Sequence, residues 1–185
     1  SVVGEEAFLP GVDTKSLAGF WLRETRFDSF NLETGARFES VNHEPMLGLD
    51  RDFNTFSASA GIVYPVTDNL TYTMSIDYAQ RAPVGEELYS FGPHLATGRF
   101  EIGSDNLKEE EVLGATLGIA YNSEAWDMNL SVYRSSFSDF IYQRSDNREL
   151  DELPVFVWDQ DDANVSGLEG EIRYRVAGLD DKNLS

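Results

Sequence analysis

The segment Asn69–Arg81 reads N-L-T-Y-T-M-S-I-D-Y-A-Q-R and has the clearest pattern in the chain. Apolar side chains occupy every second position from Leu70 to Tyr78, and polar or charged side chains lie between them. Because successive side chains of a β-strand point to opposite faces, this pattern predicts a strand with one apolar and one polar face. The segment is about twice as long as a common globular strand. Tilted strands of this length cross a lipid bilayer, so the segment is typical of a membrane β-barrel.

The same alternation recurs along most of the chain and predicts seven strands. Their bounds are about 16–26, 31–40, 51–64, 69–81, 111–121, 126–142 and 164–176. No helical period competes with this pattern, although Pro83–Tyr89 is compatible with one helical turn. The predicted fold class is therefore all-β: an antiparallel up-and-down meander of about seven long strands, part of a transmembrane β-barrel.

The connections between these strands alternate in length. Short ones, at about 27–29, 65–69, 122–125 and 178–183, are rich in Asp, Asn, Ser, Pro or Gly, which favour turns. Long ones lie at about 41–50, 82–110 and 143–163. In a meander this alternation places all the long loops at one end, as in outer-membrane barrels. Aromatic residues near both ends predict two interfacial belts: Tyr64, Tyr121 and Trp126 beside the short turns, and Phe38, Phe53, Tyr78, Phe140 and Tyr142 beside the long loops.

A soluble antiparallel sheet with one buried face is the alternative to a membrane barrel, because alternation alone does not separate the two. Strand length, loop asymmetry and the near absence of charge at the apolar positions favour the barrel. In that case one face should meet lipid. It should carry Leu70, Tyr72, Met74, Ile76 and Tyr78 together with Leu113, Leu117, Ile119, Met128, Leu130 and Ile172.

Composition excludes several classes of protein. The chain has 185 residues, a net charge of -19 and no cysteine. Such a negative surface repels phosphates and argues against nucleic acid as a partner. Without cysteine there is no disulfide, zinc–thiolate site or thiol nucleophile. No apolar stretch approaches the length of a transmembrane helix, and the first ten residues lack the features of a signal peptide.

The stretch from Tyr64 to Glu111 contains an R-A-P…E-L-Y element, a G-P-H-x-A-T element and an E-x-G-x-x-x-L-x-x-E element, and a G-x-E-x-E strand follows later in the chain. Together these elements resemble the barrel of TonB-dependent outer-membrane receptors. The residues that carry the resemblance are Arg81, Ala82, Pro83, Glu87, Leu88, Tyr89, Gly92, Pro93, His94, Ala96, Thr97, Glu101, Gly103, Leu107, Glu110, Gly167, Glu169 and Glu171. The G-P-H-x-A-T element is similar to the one in the branch of this family that includes zinc-uptake and some siderophore receptors.

The resemblance covers the chain from about Glu6 onward and implies part of a larger barrel. The family's plug domain, its TonB box and a closing strand that ends in an aromatic residue are not found in the sequence. The expected domain is therefore 1–185, a partial receptor barrel with about seven of the 22 strands of a plugged transporter.

For function, the resemblance implies a segment of a receptor in the outer membrane of a Gram-negative bacterium, for energy-coupled uptake of a metal or metal chelate. The implied partners are outer-membrane lipid, the plug domain, the remaining barrel strands, the TonB complex and the ligand, with no cofactor. The alternative is a structural or adhesive β-domain without transport. No motif of nucleophilic, metalloprotease or phosphate-binding type is present, so we expect no enzyme activity.

His94 is the leading candidate ligand residue, since it follows Gly92-Pro93 in the longest loop with Glu101 and Asp105 nearby. Imidazole with carboxylates suits zinc or iron, although a loop histidine that only shapes a turn is the alternative. His43, placed in the first long connection, is a weaker candidate of the same kind.

Three acidic groups have simpler interpretations. Asp159–Asp162 does not fit the EF-hand template and is expected to be solvated charge. Glu109–Glu111 should mark the start of a strand. Glu169, Glu171, Arg173 and Arg175 should face the lumen, where they could contact the plug or a ligand, or form ion pairs along the wall.

Overall fold

The computed structural model of the chain describes residues 9–176, and these form one nine-stranded sheet with one short helix. The elements are β1 (Val12–Arg26), β2 (Asn31–Pro45), β3 (Arg51–Pro65), β4 (Leu70–Arg81), α1 (Gly85–Tyr89), β5 (Phe91–His94), β6 (Arg99–Ile102), β7 (Glu110–Asn122), β8 (Trp126–Leu150) and β9 (Leu153–Tyr174). The connection predicted at 178–183 lies outside this range.

Seven of the strands are long and pair as an antiparallel meander, which confirms the predicted fold class. Their order in the sheet is β1-β2-β3-β4-β7-β8-β9, so every long strand lies beside the long strand next to it in sequence. The sheet does not close on itself within this part of the chain. The expected helical turn is also present, as α1.

The register of the strands gathers the apolar side chains on one face, as predicted. Cα partners lie opposite one another across a ladder and therefore project to the same side. One such row crosses five strands through Ile62, Met74, Leu117, Val132 and Leu168. We call this face, with its neighbouring rows, the apolar belt. Many of its side chains are largely exposed, Met74 by 54% for example. The opposite side, which carries Thr73, Gly118 and Ser131 on the adjacent positions, is the polar face.

Aromatic residues flank the apolar belt near both ends. Beside the short turns the belt carries Tyr64, Tyr72, Tyr121, Trp126 and Tyr174, and Trp126 packs against Tyr174 with ring centroids 4.7 Å apart. Toward the long loops it carries Phe38, Phe56 and Tyr78. The prediction for Phe53 was wrong, because its side chain lies on the polar face and is buried, with 2% exposure.

The predicted long connection at 143–163 was also wrong. Strands β8 and β9 continue past the start of β7 at Glu110 and meet at a two-residue turn, Asp151-Glu152. We call residues 138–163 the outer hairpin. Its ladder is interrupted by register shifts between Phe137 and Phe140 and between Ser145 and Glu149.

The loop 82–109 is folded and reaches the edge of the sheet formed by β9. After α1 it forms the hairpin β5–β6, and β6 then pairs in parallel with β9, Phe100 with Val155 and Ile102 with Val157. This pairing extends the sheet by two short strands that the periodicity of the sequence did not predict. Pro93, which has no N–H to donate, lies in β5 at the sheet edge, where proline is tolerated.

Beneath this loop lies the main buried cluster, formed by Phe53, Leu88, Tyr89, Leu107 and Ile141. Phe53 comes from the polar face of β3 and Ile141 from the outer hairpin, while the other three come from the loop. The loop therefore packs over the polar face at the long-loop end of the sheet, and its apolar residues give it a core of its own. Between residues 9 and 176, no helix has the length and apolar character needed to cross a membrane.

Candidate functional site

Arg81 anchors the start of the loop through two carboxylates. At the end of β4, its guanidinium donates to both oxygens of Glu87, at 3.1 and 2.9 Å, and to Oε2 of Glu110 at 3.2 Å. Glu87 also accepts the backbone N–H of Val84 at 2.8 Å, which holds the first turn of α1. Glu110 accepts the backbone N–H of Ile141 at 2.9 Å. The network thus joins β4, α1, β7 and the outer hairpin, and Glu110 begins β7 as expected.

His43 connects β2 to the start of the loop 82–109. It was predicted to lie in a long connection, but β2 runs on to Pro45 and His43 lies within that strand, with 3% exposure. Its Nε2–H donates to the carbonyl oxygen of Pro83 at 3.0 Å, and the Thr14 hydroxyl donates to its Nδ1 at 2.9 Å. A buried imidazole with both nitrogens bonded in this way is a structural residue, so His43 is not positioned to bind a ligand.

Gly103 permits a close approach between β6 and the end of α1. Its N–H donates to the carbonyl of Ser90 at 2.7 Å, and a Cβ at this position would lie 2.6 Å from the carbonyl carbon of Leu88. Any side chain would therefore meet backbone. Tyr89, the tyrosine of the R-A-P…E-L-Y element, donates its hydroxyl to the carbonyl of Leu49 at 3.0 Å. These contacts explain why the motif residues have this spacing: they shape the loop.

His94 and Glu101, the two candidate ligand residues, lie in contact. His94 ends β5 and Glu101 lies in β6, and the Nδ1–H of His94 donates to Oε1 of Glu101 at 2.9 Å. The Thr97 hydroxyl donates to the same oxygen at 3.1 Å. The His94 side chain is 25% exposed, whereas that of Glu101 is 1% exposed. His94 is thus the accessible member of the pair, and Glu101 fixes the orientation of its ring.

Glu86, which the sequence did not single out, joins this pair. It lies in the first turn of α1, and ligand atoms of Glu86, His94 and Glu101 lie within 4.8 Å of one another. A glutamate in a short helical turn gives no signal of a site by itself, so the sequence could not have identified Glu86. Thr97 belongs to the G-P-H-x-A-T element, and that element could have indicated its place in the site. The backbone of His94 also forms the turn: its carbonyl accepts the N–H of Thr97 and of Gly98, which has a φ of 64°.

The charged residues Glu169, Glu171 and Arg173 of β9 lie on the polar face, the side that was predicted to face the lumen. Arg173 pairs with Glu171 at 2.6 Å, which is the expected ion pair along the wall. Gly167 faces the ring of Tyr133, and a Cβ there would lie 2.6 Å from its hydroxyl oxygen. The glycine of the G-x-E-x-E element therefore makes room for an aromatic ring on the polar face. Arg175 follows the strand and donates its N–H to the carbonyl of Ala125.

Asp159–Asp162 lies within β9, in the outer hairpin, rather than in a loop. Gln160 bridges to the loop by donating its side-chain amide to the Lys108 carbonyl at 3.0 Å. A hydrogen bond from Arg144 holds the pKa of Asp159 below its usual range. The arrangement joins the outer hairpin to the loop 82–109.

The fold and the site together define the class: a sheet of long strands with an apolar belt on one face, and a folded loop over the polar face. The profile of the family described as "TonB dependent receptor-like, beta-barrel" matches residues 3–184. The chain therefore belongs to the TonB-dependent receptor family, as part of its β-barrel.

Solved structures agree with this fold. The copper transporter OprC is 18% identical with a TM-score of 0.78, and 90% of this chain covers 27% of that one. The hemophore receptor HasR of Serratia marcescens, solved with its hemophore HasA and heme, is 14% identical with a TM-score of 0.77, at 95% and 34% coverage. The FrpB iron transporter of Neisseria meningitidis (F3-3 variant) is 17% identical with a TM-score of 0.68, at 91% and 25% coverage. The chain thus spans only about a quarter to a third of the length of these three structures.

Proposed function

We propose that this chain is part of the barrel wall of a receptor in the outer membrane of a Gram-negative bacterium, which takes up a metal ion or metal chelate. The apolar belt carries the proposal. In β4 and β7 its rows run from Leu70 to Tyr78 and from Leu113 to Tyr121, nine residues each. Tilted strands of that length fit an apolar band about 25 Å tall. In this arrangement lipid contacts the belt, the polar face lines the lumen, and the loop 82–109 lies on the extracellular side.

The rest of the proposed receptor supplies the other partners. A plug domain and further strands complete the barrel, and the TonB complex drives uptake through the plug. The chain contributes a binding surface and a wall rather than catalysis. Membership of the family and the metal, heme and iron ligands named for OprC, HasR and FrpB support this assignment.

The ligand-binding role falls to His94, with Glu101 as the residue that positions it. His94 is partly exposed on a folded loop, and imidazole is a good ligand for borderline transition metals. Glu101 is too deeply buried to reach a bulky chelate. The remaining motif residues, among them Arg81, Glu87, Gly103 and Glu110, serve the loop's shape.

Uptake by the intact receptor tests this function. Cells that carry the full-length receptor should accumulate radiolabelled zinc or a labelled ferric chelate, and this accumulation should stop when TonB is deleted. No receptor-dependent uptake of either would favour a structural or adhesive β-domain instead.

Substitution of His94 tests the proposed contact. His94→Ala should weaken ligand binding and slow uptake, whereas Leu95→Ala, at a neighbouring side chain with 78% exposure, should leave both unchanged. Unaltered affinity and transport in His94→Ala would leave His94 as a turn residue.

A further inference from the structure

Three metal-ligating side chains converge where α1 meets the hairpin β5–β6. Glu86 comes from α1, His94 from β5 and Glu101 from β6, and one ligand atom of each lies within 4.8 Å of the others. The three residues are far enough apart in sequence that only the fold of the loop brings them together. Donors that bind one zinc ion at about 2.0–2.2 Å lie no more than about 4.4 Å apart, so the three side chains need to close in only slightly to share an ion.

Glu101 adds an independent observation, because its carboxylate is only half satisfied. Oε1 accepts hydrogen bonds from His94 and Thr97, but Oε2 is buried and has no hydrogen-bond partner among residues 9–176. A buried carboxylate oxygen without a partner is costly, since it has lost water and gained nothing. A cation bound beside it would remove that cost.

The donor set indicates the kind of ion. One imidazole and two carboxylates suit first-row divalent metals such as zinc, whereas calcium prefers six to eight oxygen donors. Glu101, with 1% exposure, is within reach of a bare ion but not of a bulky ligand. A chelate carries its metal already surrounded by ligands and would not bring it within reach of Glu101.

We propose that Glu86, His94 and Glu101 bind one bare first-row divalent metal ion, which fastens α1 to the hairpin β5–β6. This inference deepens the proposed function and rests on it for the extracellular position of the loop: it names the ligand class at His94 and adds Glu86 as a ligand. Because β6 is paired with β9, the ion links the loop to the outer hairpin as well.

Zinc binding to the purified intact receptor, stripped of metal in detergent, tests the proposal. By calorimetry the wild type should bind one more equivalent of zinc than Glu86→Gln or His94→Gln, or bind that equivalent at least tenfold more tightly. Calcium should not compete at equal concentration. Zinc should also slow amide hydrogen exchange across residues 91–102 in the wild type but not in the two variants.

Matched controls separate the site from general effects. Asp105→Asn removes an exposed acid of the same loop and should bind zinc like the wild type. Glutamine at position 94 still donates a hydrogen bond to Glu101, and heat-modifiable gel mobility verifies that each variant is folded. Equal zinc stoichiometry and affinity in all four proteins, or calcium binding as tight as zinc binding, would overturn the proposal.

The two proposals fail differently. Zinc binding that depends on Glu86 in a receptor that transports nothing would support the site and reject the uptake function. A wild-type receptor that takes up its ligand but shows no zinc binding dependent on Glu86 and His94 would support the receptor function and overturn the metal site.

Discussion

Gly103 is the residue at which the fold of the loop tolerates least change. A methyl group there would lie 2.6 Å from Leu88 backbone atoms, and backbone cannot move aside as a flexible side chain can. We expect Gly103→Ala to destabilise the loop by about 1–3 kcal/mol, the usual cost of overpacking. Hydrogen exchange of the amides in residues 85–104 would measure this loss.

Gly19→Ala is the matched control, because a Cβ at Gly19 has no atom within 4 Å and the strand accepts alanine. It should leave exchange in the loop unchanged. Equal protection in Gly103→Ala and the wild type would mean that β6 and α1 do not approach as closely as described here.

Arg81 is the second residue whose loss should open the loop. Without it the carboxylates of Glu87 and Glu110, whose side chains are 9% and 13% exposed, would lose their charged donor. Hydrogen bonds to charged groups contribute about 1.5–3 kcal/mol, and the partial exposure of Arg81 places the expected loss at the lower end. Limited proteolysis within 82–109 would report it as faster cleavage of Arg81→Ala.

The exposed pair Arg26–Glu24 provides the comparison, since exposed ion pairs contribute little. Arg26→Ala should be cleaved at the wild-type rate. If Arg81→Ala and Arg26→Ala were cleaved alike, the network around Arg81 would not stabilise the loop.

The motif residues could be located from sequence, but their roles could not. The spacing from Arg81 to Glu110 identified the loop, and the contact between His94 and Glu101 agrees with their predicted pairing in one site. The role of His43 was missed because the strand pattern of β2 weakens after Ser40, where its side chains meet the loop instead of lipid and solvent. Glu86 was missed because the site exists only once α1 and the hairpin β5–β6 pack together.

At the scale of elements, the outer hairpin supports the loop through β6. Replacing residues 149–154 with Asn-Gly removes only the tip of the hairpin, whereas replacing residues 144–157 with Asn-Gly also removes the partners of β6. We expect the shorter deletion to leave amide protection at Phe100–Ile102 intact and the longer one to abolish it. Hydrogen exchange of both variants in detergent makes the comparison.

The two deletions control for each other, because both shorten the same hairpin and insert the same turn. Protection at Phe100–Ile102 that survives the longer deletion would mean that pairing with β5 and contacts with α1 hold β6 without β9.

Strand periodicity predicted the membrane-facing elements well and the outer hairpin poorly. Between Leu70 and Tyr78 one side of β4 belongs to the apolar belt and the other to the polar face. Apolar and polar residues must therefore alternate along this part of the sequence. The outer hairpin extends beyond the neighbouring strands, and its two register shifts change which residues share a side. Without lipid on one side there is no such constraint, and the strands carry polar residues on both faces. The hairpin β5–β6 is too short to show a period.

For the whole molecule, the orientation of the wall makes a paired prediction. Met74 lies in the apolar belt and Ser75 on the polar face, one residue apart and both exposed. Met74→Arg should destabilise the receptor folded in lipid vesicles by about 2–4 kcal/mol, because a charge near the middle of the bilayer is costly. Ser75→Arg should be tolerated, since its side chain points into the lumen.

Folding of the intact receptor into phospholipid vesicles, followed by tryptophan fluorescence across a urea series, would measure both variants. A larger loss for Ser75→Arg than for Met74→Arg would reverse the assignment of the two faces and remove the argument for a membrane position.

The parallel pairing of β6 with β9 also sets an order of events in folding. Strand β6 is made before β7, β8 and β9, yet the edge to which it binds exists only once β9 has joined the sheet. Closing contacts between distant parts of a chain is slow because their ends must first be brought together. The loop 82–109 therefore cannot complete its pairing until strands that follow it in the chain have formed. This late closure makes the loop one of the last parts of the described region to take its final shape.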